Sequence, residues 1–368
     1  MSLESSKRYH RIKNWLFFVN LSFNILALLL FFLSGLSLYF KEVIFEVNQH
    51  FLILNALYAF CFSIFLTIAG FPLSFYEGFV LEHRFKLSNQ NILSWLKDFL
   101  KNAAISLTVI LIAVEALYIF LRKFPHTWWL WAAGFWLLLT IVLAKITPNI
   151  IIPLFFKYRI VDNHKLKSKI FALFEKCQVK IKDIYYINLS SKTKKANAFI
   201  CGLGNNRRLV LSDTLLKKFN EEEINCVVAH ELSHYQNHDL WKIILANSAV
   251  SSICFFLISR ILGRMLLYFG FSRIDDITFL PMLFLGFFLL GFIMLPITNA
   301  FSRRLEKNAD IFSLKLTEDA NGFVSMMRKL GELNLADFSP PRFIEILLYD
   351  HPPIAKRIKL AEGYKNDL

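Results

Sequence analysis

The sequence predicts a mainly α-helical, polytopic membrane protein of about six transmembrane helices, with a small α+β module on its cytoplasmic side. Of its 368 residues, 55% are hydrophobic and only 19% are charged, and the mean hydropathy of +0.45 is well above that of soluble domains. Several runs are long and apolar enough to cross about 30 Å of hydrocarbon. Charged residues are concentrated between these runs, which predicts helices that cross the membrane and polar segments that do not.

Six runs have the length and composition of membrane spans. They are Trp15–Phe40, Phe51–Tyr76, Ala103–Leu121, Thr127–Phe156, Ile243–Ser259 and Ile277–Ser302. The first run is too long for a signal peptide and lacks a cleavage site of small residues. We therefore expect an integral, multi-pass membrane protein.

The distribution of basic residues predicts the orientation. The first span is preceded by Lys7, Arg8, Arg11 and Lys13. Six spans place both termini, residues 77–102 and residues 157–241 on one side, and this side carries most of the +14 net charge. Because cytoplasmic loops are enriched in Lys and Arg, we expect this side to be cytoplasmic. The basic excess then reflects topology and contact with membrane lipids, and no nucleic-acid partner is expected.

The chain is predicted to have two parts. Residues 1–156 form an N-terminal membrane region of four spans, with an amphipathic loop helix at 88–101 that lies at the membrane surface or caps a cavity. Residues 157–368 form the second part, which contains the polar module, a two-span hairpin at about 242–302 and a C-terminal helical segment.

Within the module, the pattern predicts a charged amphipathic helix over Lys165–Lys176 and then three strands. The predicted strands are Ile184–Leu189, Asn197–Ile200 and Leu209–Leu211. A helix should follow, because Asn220 is a good N-cap and Glu223 completes an imperfect capping box.

This helix carries the most informative motif, His230-Glu231-Leu232-Ser233-His234. Positions i and i+4 share one helix face, so both imidazoles can reach one metal ion. Glu231 lies beside the first ligand, where a carboxylate can take a proton from an activated water. The pattern predicts one Zn²⁺ per chain in a metalloprotease module.

A catalytic zinc needs a third protein ligand. Glu306 and Asp310 stand one helical turn apart after the sixth span, on the same side of the membrane as the His-Glu-x-x-His box. One carboxylate can bind zinc while the other accepts an imidazole N–H. Spacing alone leaves open an ordinary surface pattern, in which Arg303 and Lys307 pair with both acids.

Further motifs recur with the box, in this order, in one family. They are Asn197-Ala198-Phe199 with Gly202 following, Ser302–Asp310, and His351-Pro352-Pro353 with Arg357. Over nearly its whole length the chain resembles the integral-membrane zinc metalloproteases of the type I CAAX prenyl endopeptidase family. That family typically has seven spans, whereas this sequence shows six, and the missing one corresponds to the first.

The resemblance implies roles for these residues. Glu306 becomes the third zinc ligand and Asp310 the carboxylate that supports a ligating imidazole. His351 and Arg357 become candidates for binding the developing oxyanion. Asn197, Ala198 and Phe199 become an edge strand that receives the substrate by strand addition.

The predicted function is that of a zinc-dependent endopeptidase acting on peptide or protein substrates. Two substrate classes fit: proteins cleaved near a lipidated, CAAX-type C-terminus, and membrane proteins cleaved more broadly in quality control. The rival class is a non-enzymatic transporter or scaffold with a structural metal. Structural sites usually have four ligands, often including Cys, whereas the candidate ligands here are two His and one Glu beside a general base. The motif therefore favours catalysis.

Overall fold

The structure, a computed structural model, describes residues 3–201 and 208–366. It confirms a mainly helical chain with one small sheet. The N-terminal part consists of α1 (Leu3–Leu33), α2 (Leu36–Val47), α3 (Phe51–Phe75), the short α4 (Glu82–Arg84), α5 (Ile92–Lys123), α6 (Trp128–Ile146) and α7 (Ile152–Phe155). Two π-helical stretches, Tyr76–Leu81 and Thr147–Ile151, extend α3 and α6.

Six helical segments in the described residues are long and apolar enough to cross a membrane, which confirms the predicted number. They are Glu4–Leu33, Phe51–Arg84, Ile92–Lys123, Trp128–Phe155, Asp239–Tyr268 and Ile277–Thr317. The first predicted span extended too far, to Phe40. Gly35 has φ 79° and separates α1 from α2, because this left-handed conformation ends a helix and is open to glycine.

The predicted surface helix at 88–101 is wrong as a separate element. Helix α5 begins at Ile92, where the Asn91 side chain accepts the N–H of Ser94, and continues without a break to Lys123. The amphipathic segment is therefore the first part of the third span. Its aromatic residues pack against α3 and its extension: Trp95 lies 5.3 Å from Phe75, centroid to centroid.

The polar module contains a four-stranded sheet with α8 (His164–Lys176) beside it. The strands are β1 (Tyr158–Ile160), β2 (Asp183–Ile187), β3 (Ala198–Cys201) and β4 (Arg208–Ser212). Their order is β1-β2-β4-β3, with β2 and β4 parallel and the outer pairs antiparallel. The helix and three of the strands match the prediction. β1 was missed because it has only three residues and directly follows an apolar run.

The remaining helices complete the module after crossing the membrane twice. They are α9 (Asp213–Lys218), α10 (Glu221–Gln236), α11 (Asp239–Tyr268), α12 (Leu280–Thr317), α13 (Ala320–Leu333), α14 (Arg342–Leu348) and α15 (Ile354–Asn366). One hydrophobic core joins residues before the hairpin, such as Val228, to residues after it, such as Phe323 and Ala361. The hairpin of α11 and α12 therefore leaves the module and returns to it.

Candidate metal centre

Hydrogen bonds cap the start of helix α10, and an ion pair joins its Glu223 to helix α13. The Asn220 side chain accepts the Glu223 N–H at 2.8 Å, and the Glu223 carboxylate accepts the Asn220 N–H at 2.9 Å, which confirms the capping box. The buried Glu223 carboxylate also binds Lys329 of α13 at 2.7 Å. The helix that carries the His-Glu-x-x-His box is thereby held against an element that follows the membrane hairpin.

Three side chains converge at the middle of α10 and α12. His230 Nε2 lies 3.2 Å from His234 Nε2. The Glu306 oxygens lie 3.3 Å from each of these nitrogens. Ligand atoms that share one tetrahedral zinc at its usual bond lengths stand about 3.3–3.4 Å apart. The observed spacing therefore suits one metal ion equidistant from the three groups.

The donor set fits a metal ion as well as the spacing does. His230, His234 and Glu306 are the residues of this structure that group closely enough to hold one. Glu306 Oε2 is buried and accepts no hydrogen bond of ordinary geometry from the described residues, which would be costly without another partner. Two imidazoles and one carboxylate leave a fourth position open, as in catalytic sites.

A buried ion pair supports His230 from behind. His230 Nδ1 lies 3.0 Å from Asp310 Oδ1, and Asp310 is fully buried. Arg357 makes a two-pronged contact with Asp310, at 2.8 Å and 2.5 Å. Glu306 and Asp310 both face the histidines, so they do not form the ordinary surface charge pattern that spacing alone had left open.

Arg357 is placed differently from its expected role. The residue is 9% exposed. Its guanidinium binds Asp310 through two nitrogens and lies 3.9 Å from Glu306. A guanidinium held in this way has few donors left for a substrate oxygen. The geometry therefore favours Arg357 as a residue that positions Asp310 and, through it, His230.

Asp239 is a functional candidate that the sequence reasoning missed. Its Oδ2 lies 3.0 Å from His234 Nδ1, and the residue is only 2% exposed. The backbone turns sharply at His238, which has φ 55°, and this turn brings the first residue of α11 beneath His234. The available signal was an acidic residue five positions after the second histidine, at the start of an apolar helix.

Replacing Asp239 with Asn should lower zinc affinity roughly 10- to 100-fold, because hydrogen-bonded partners orient ligating imidazoles and raise their basicity. Competition with a chromogenic chelator measures this affinity. Lys242→Gln is the control, since it removes only the exposed cation that pairs with Asp239, and such pairs contribute little. Equal affinities for the Asp239→Asn and Lys242→Gln variants would contradict a supporting role.

His351 faces the metal centre from the other side. Its Nε2 lies 3.3 Å from Glu306 Oε1, while Nδ1 lies 2.8 Å from Asp350. The side chain is 53% exposed, so it lies beside the metal centre and is also open to solvent. Partial burial disfavours a charge, but the Asp350 hydrogen bond and the Glu306 charge outweigh it and raise the pKa of His351.

The loop that carries His351 is held by α12. Arg303 donates to the backbone carbonyls of Glu345 and Tyr349 at 3.0 Å and 2.5 Å. Asn299 donates to the carbonyl of Leu347 at 2.8 Å. The helix that supplies Glu306 therefore also fixes the approach to His351.

The pKa shifts of Glu231 and His230 are consistent with a base that lies beside metal ligands. Burial raises the pKa of the Glu231 carboxyl, although the nearby histidines oppose this. Burial also works against a charge on His230, but the hydrogen bond to Asp310 and the nearby Glu306 outweigh it and raise its pKa to about 9. Because a metal ion binds the neutral ring, metal binding at neutral pH would release a proton.

The predicted substrate strand lies at the edge of the sheet. β3 pairs with β4 through Ala198 and Phe199, and it is the last strand in the sheet order. It packs against α10, the helix of the box. Asn197 precedes the strand and donates its N–H to Ser212 at 3.0 Å. Gly202, the last residue of that motif, lies outside the described residues.

Comparisons with known proteins cover nearly the entire chain. Residues 161–365 match the model for peptidase family M48. Residues 1–157 match a model described as CAAX prenyl protease N-terminal, five membrane helices. In this chain the described part of the same region, residues 3–157, contains four candidate spans.

Individual relatives agree with these matches. The chain is 30% identical to an uncharacterized metalloprotease, YhfN, of Bacillus subtilis, over 99% of this chain and 86% of that protein. It is 28% identical to CAAX prenyl protease 1 of Saccharomyces cerevisiae, over 79% of this chain and 68% of that protein. The crystal structure of S. mikatae Ste24p has the same fold, with a TM-score of 0.87 at 22% identity, over 98% of this chain and 89% of that chain.

Proposed function

The chain belongs to peptidase family M48 and is a membrane metallopeptidase, and we propose that it is a zinc-dependent endopeptidase that cleaves near the C-terminus of membrane-associated, CAAX-type substrates. The observation that carries the proposal is the convergence of His230, His234 and Glu306 beside Glu231. The zinc identity is supported by two imidazoles and one carboxylate at tetrahedral spacing.

The residues divide the chemistry among them. Zinc, when bound, supplies Lewis-acid polarisation of the scissile carbonyl and activates a water. Glu231 takes the proton of the attacking water and passes it to the leaving amine. His351 donates a hydrogen bond to the oxygen that becomes negative in the transition state. Arg357 and Asp310 hold the His230 ring, and Asp239 holds the His234 ring.

The edge position of β3 supports binding of an extended peptide. A peptide added beside β3 would continue the sheet through main-chain hydrogen bonds, and α10 would hold Glu231 next to it. The matches to CAAX prenyl proteases favour a substrate whose C-terminal Cys-a-a-X sequence carries a lipid. The second candidate is broader cleavage of membrane proteins, because a bacterial relative that is 30% identical over 99% of this chain is named only as a metalloprotease, with no lipidated substrate.

Purified protein tests the substrate class directly. We expect a farnesylated peptide ending in Cys-a-a-X to be cut near its C-terminus, with a higher kcat/KM than the same peptide without the lipid. Mass spectrometry of the products locates the cut. Equal cleavage of both peptides, with cuts at many positions in an unfolded membrane protein, would support the quality-control alternative.

We also propose that the metal centre and both termini face the cytoplasm. Six spans leave three connecting segments on the opposite side, after the first, third and fifth spans. Lys41 and Asp276, from two of these segments, pair at 2.7 Å, which supports a common far end for them. Cysteines introduced at Ser191 and Ser272 should therefore react from opposite sides of the membrane in sealed cells. Labelling of both from outside would contradict the six-span topology.

A further inference from the structure

A cavity lined by both charged and apolar residues lies between the start of α1 and the segment that connects α13 to α14, and none of the metal-centre residues lines it. Its volume is about 490 Å³. The metalloprotease mechanism uses none of the side chains that line it. Its lining combines charged groups at one end with aromatic and aliphatic groups at the other.

The charged end carries both signs. Lys7 and Arg11 line it from α1, and both side chains are exposed. Neither cation has an ion-pair partner within residues 3–201 and 208–366. Asp337 and Ser339 line the opposite wall, where Asp337 is 9% exposed. One Asp337 oxygen accepts the Ser339 N–H at 3.1 Å, and its other oxygen makes no hydrogen bond or ion pair among the described residues.

The apolar end follows in the direction of the membrane. Lys7, Arg11, Trp15 and Phe18 lie on one face of α1, since they are spaced by three or four residues. At about 1.5 Å of rise per residue, Lys7 and Phe18 are about 16 Å apart along the helix. Ile344 of α14 continues the apolar lining on the other wall. The groove therefore changes from charged to apolar over the length of a lipid headgroup and its first carbons.

Nearby residues place this groove at the membrane–water interface. Trp15 is 68% exposed and begins the uncharged run of α1, and Phe343 of α14 is 66% exposed. Exposed tryptophan at a span end is typical of the interface. Helix α14 is also joined to the polar end of the sixth span through Asn299. Both walls of the groove therefore lie at headgroup level.

We propose that this groove binds one phospholipid whose headgroup carries an ammonium group. The lipid phosphate lies between Lys7 and Arg11, the ammonium group pairs with Asp337, and an acyl chain follows Trp15 and Phe18. A headgroup such as phosphatidylglycerol has the same phosphate for the two cations but offers Asp337 only neutral hydroxyl groups, so the carboxylate would have no cationic partner in the ligand. The opposite charges across one cavity therefore select for an aminophospholipid.

Native mass spectrometry of the full-length protein in detergent tests this proposal, with phosphatidylethanolamine and phosphatidylglycerol of identical chains as probes. The wild type should retain more phosphatidylethanolamine. Arg11→Gln should weaken retention of both lipids roughly fivefold, since each cation near a headgroup contributes about this factor. Asp337→Asn should reduce phosphatidylethanolamine retention alone and remove the preference.

Arg8→Gln is the matched control, because Arg8 is an exposed arginine of the same helix that does not line the cavity. It should bind both lipids like the wild type. The proposal is overturned if the Arg11→Gln and Arg8→Gln variants retain lipid equally, or if the wild type does not distinguish the two lipids. It is also overturned if Arg11→Gln changes only the KM of a peptide with a free C-terminal carboxylate, which would assign the cavity to the substrate.

Discussion

Glu231→Gln should bind one zinc per chain and lose turnover by roughly 10²- to 10⁴-fold, the usual contribution of general acid–base catalysis. The substitution removes the base while leaving His230, His234 and Glu306 in place. Zinc content by elemental analysis and hydrolysis of a model peptide measure the two properties separately.

Two further variants show whether the loss of activity is specific to the base. Glu222→Gln is the matched control, since Glu222 is an exposed acid of the same helix, and it should retain wild-type activity. His234→Ala should lose both zinc and activity because a ligand is removed. Wild-type hydrolysis by the Glu231→Gln variant would exclude Glu231 as the base.

His351→Ala should lower kcat by roughly 10²- to 10³-fold, which is typical for loss of one donor to a developing oxyanion. Because His351 approaches Glu306 from the open side of the centre, zinc binding should remain normal. KM should change little, since the donor acts mainly in the transition state. Steady-state kinetics with a model peptide, combined with zinc analysis, measure all three quantities.

His50→Ala serves as the control for His351. His50 is exposed at the start of α3, on the predicted far side, and makes no capping hydrogen bond. It should have wild-type kinetics. A wild-type kcat in the His351→Ala variant would contradict a catalytic role and leave His351 only a structural role in its loop. The proposed metal site would be unaffected by that result.

The sequence predicted what depends on local pattern. The six spans follow from apolar length, and the position of the His-Glu-x-x-His box on a helix follows from the capping pair Asn220 and Glu223. Glu306 was found because a resemblance, and not spacing alone, distinguished it from an ordinary surface acid. The structure then placed it 3.3 Å from both histidines.

The parts that escaped prediction depend on contacts between distant residues or on a single backbone angle. The continuity of α5 from Ile92 reflects packing of the aromatic residues in its amphipathic first part against α3, which periodicity does not report. Asp239 reaches His234 only because His238 takes a positive φ, an uncommon conformation for such a residue. Arg357 pairs with Asp310, 47 positions earlier, and that partner is not visible in the local sequence.

The passage of the chain through the hairpin of α11 and α12 has a consequence for biosynthesis. Both histidines emerge from the ribosome before either hairpin span, whereas Glu306 emerges after both. A nascent chain therefore holds only two of the three candidate ligand groups until the apolar part of its last span has been synthesised, and His351 follows later still. The candidate metal centre can therefore be completed only late in synthesis, after both spans of the hairpin have been made.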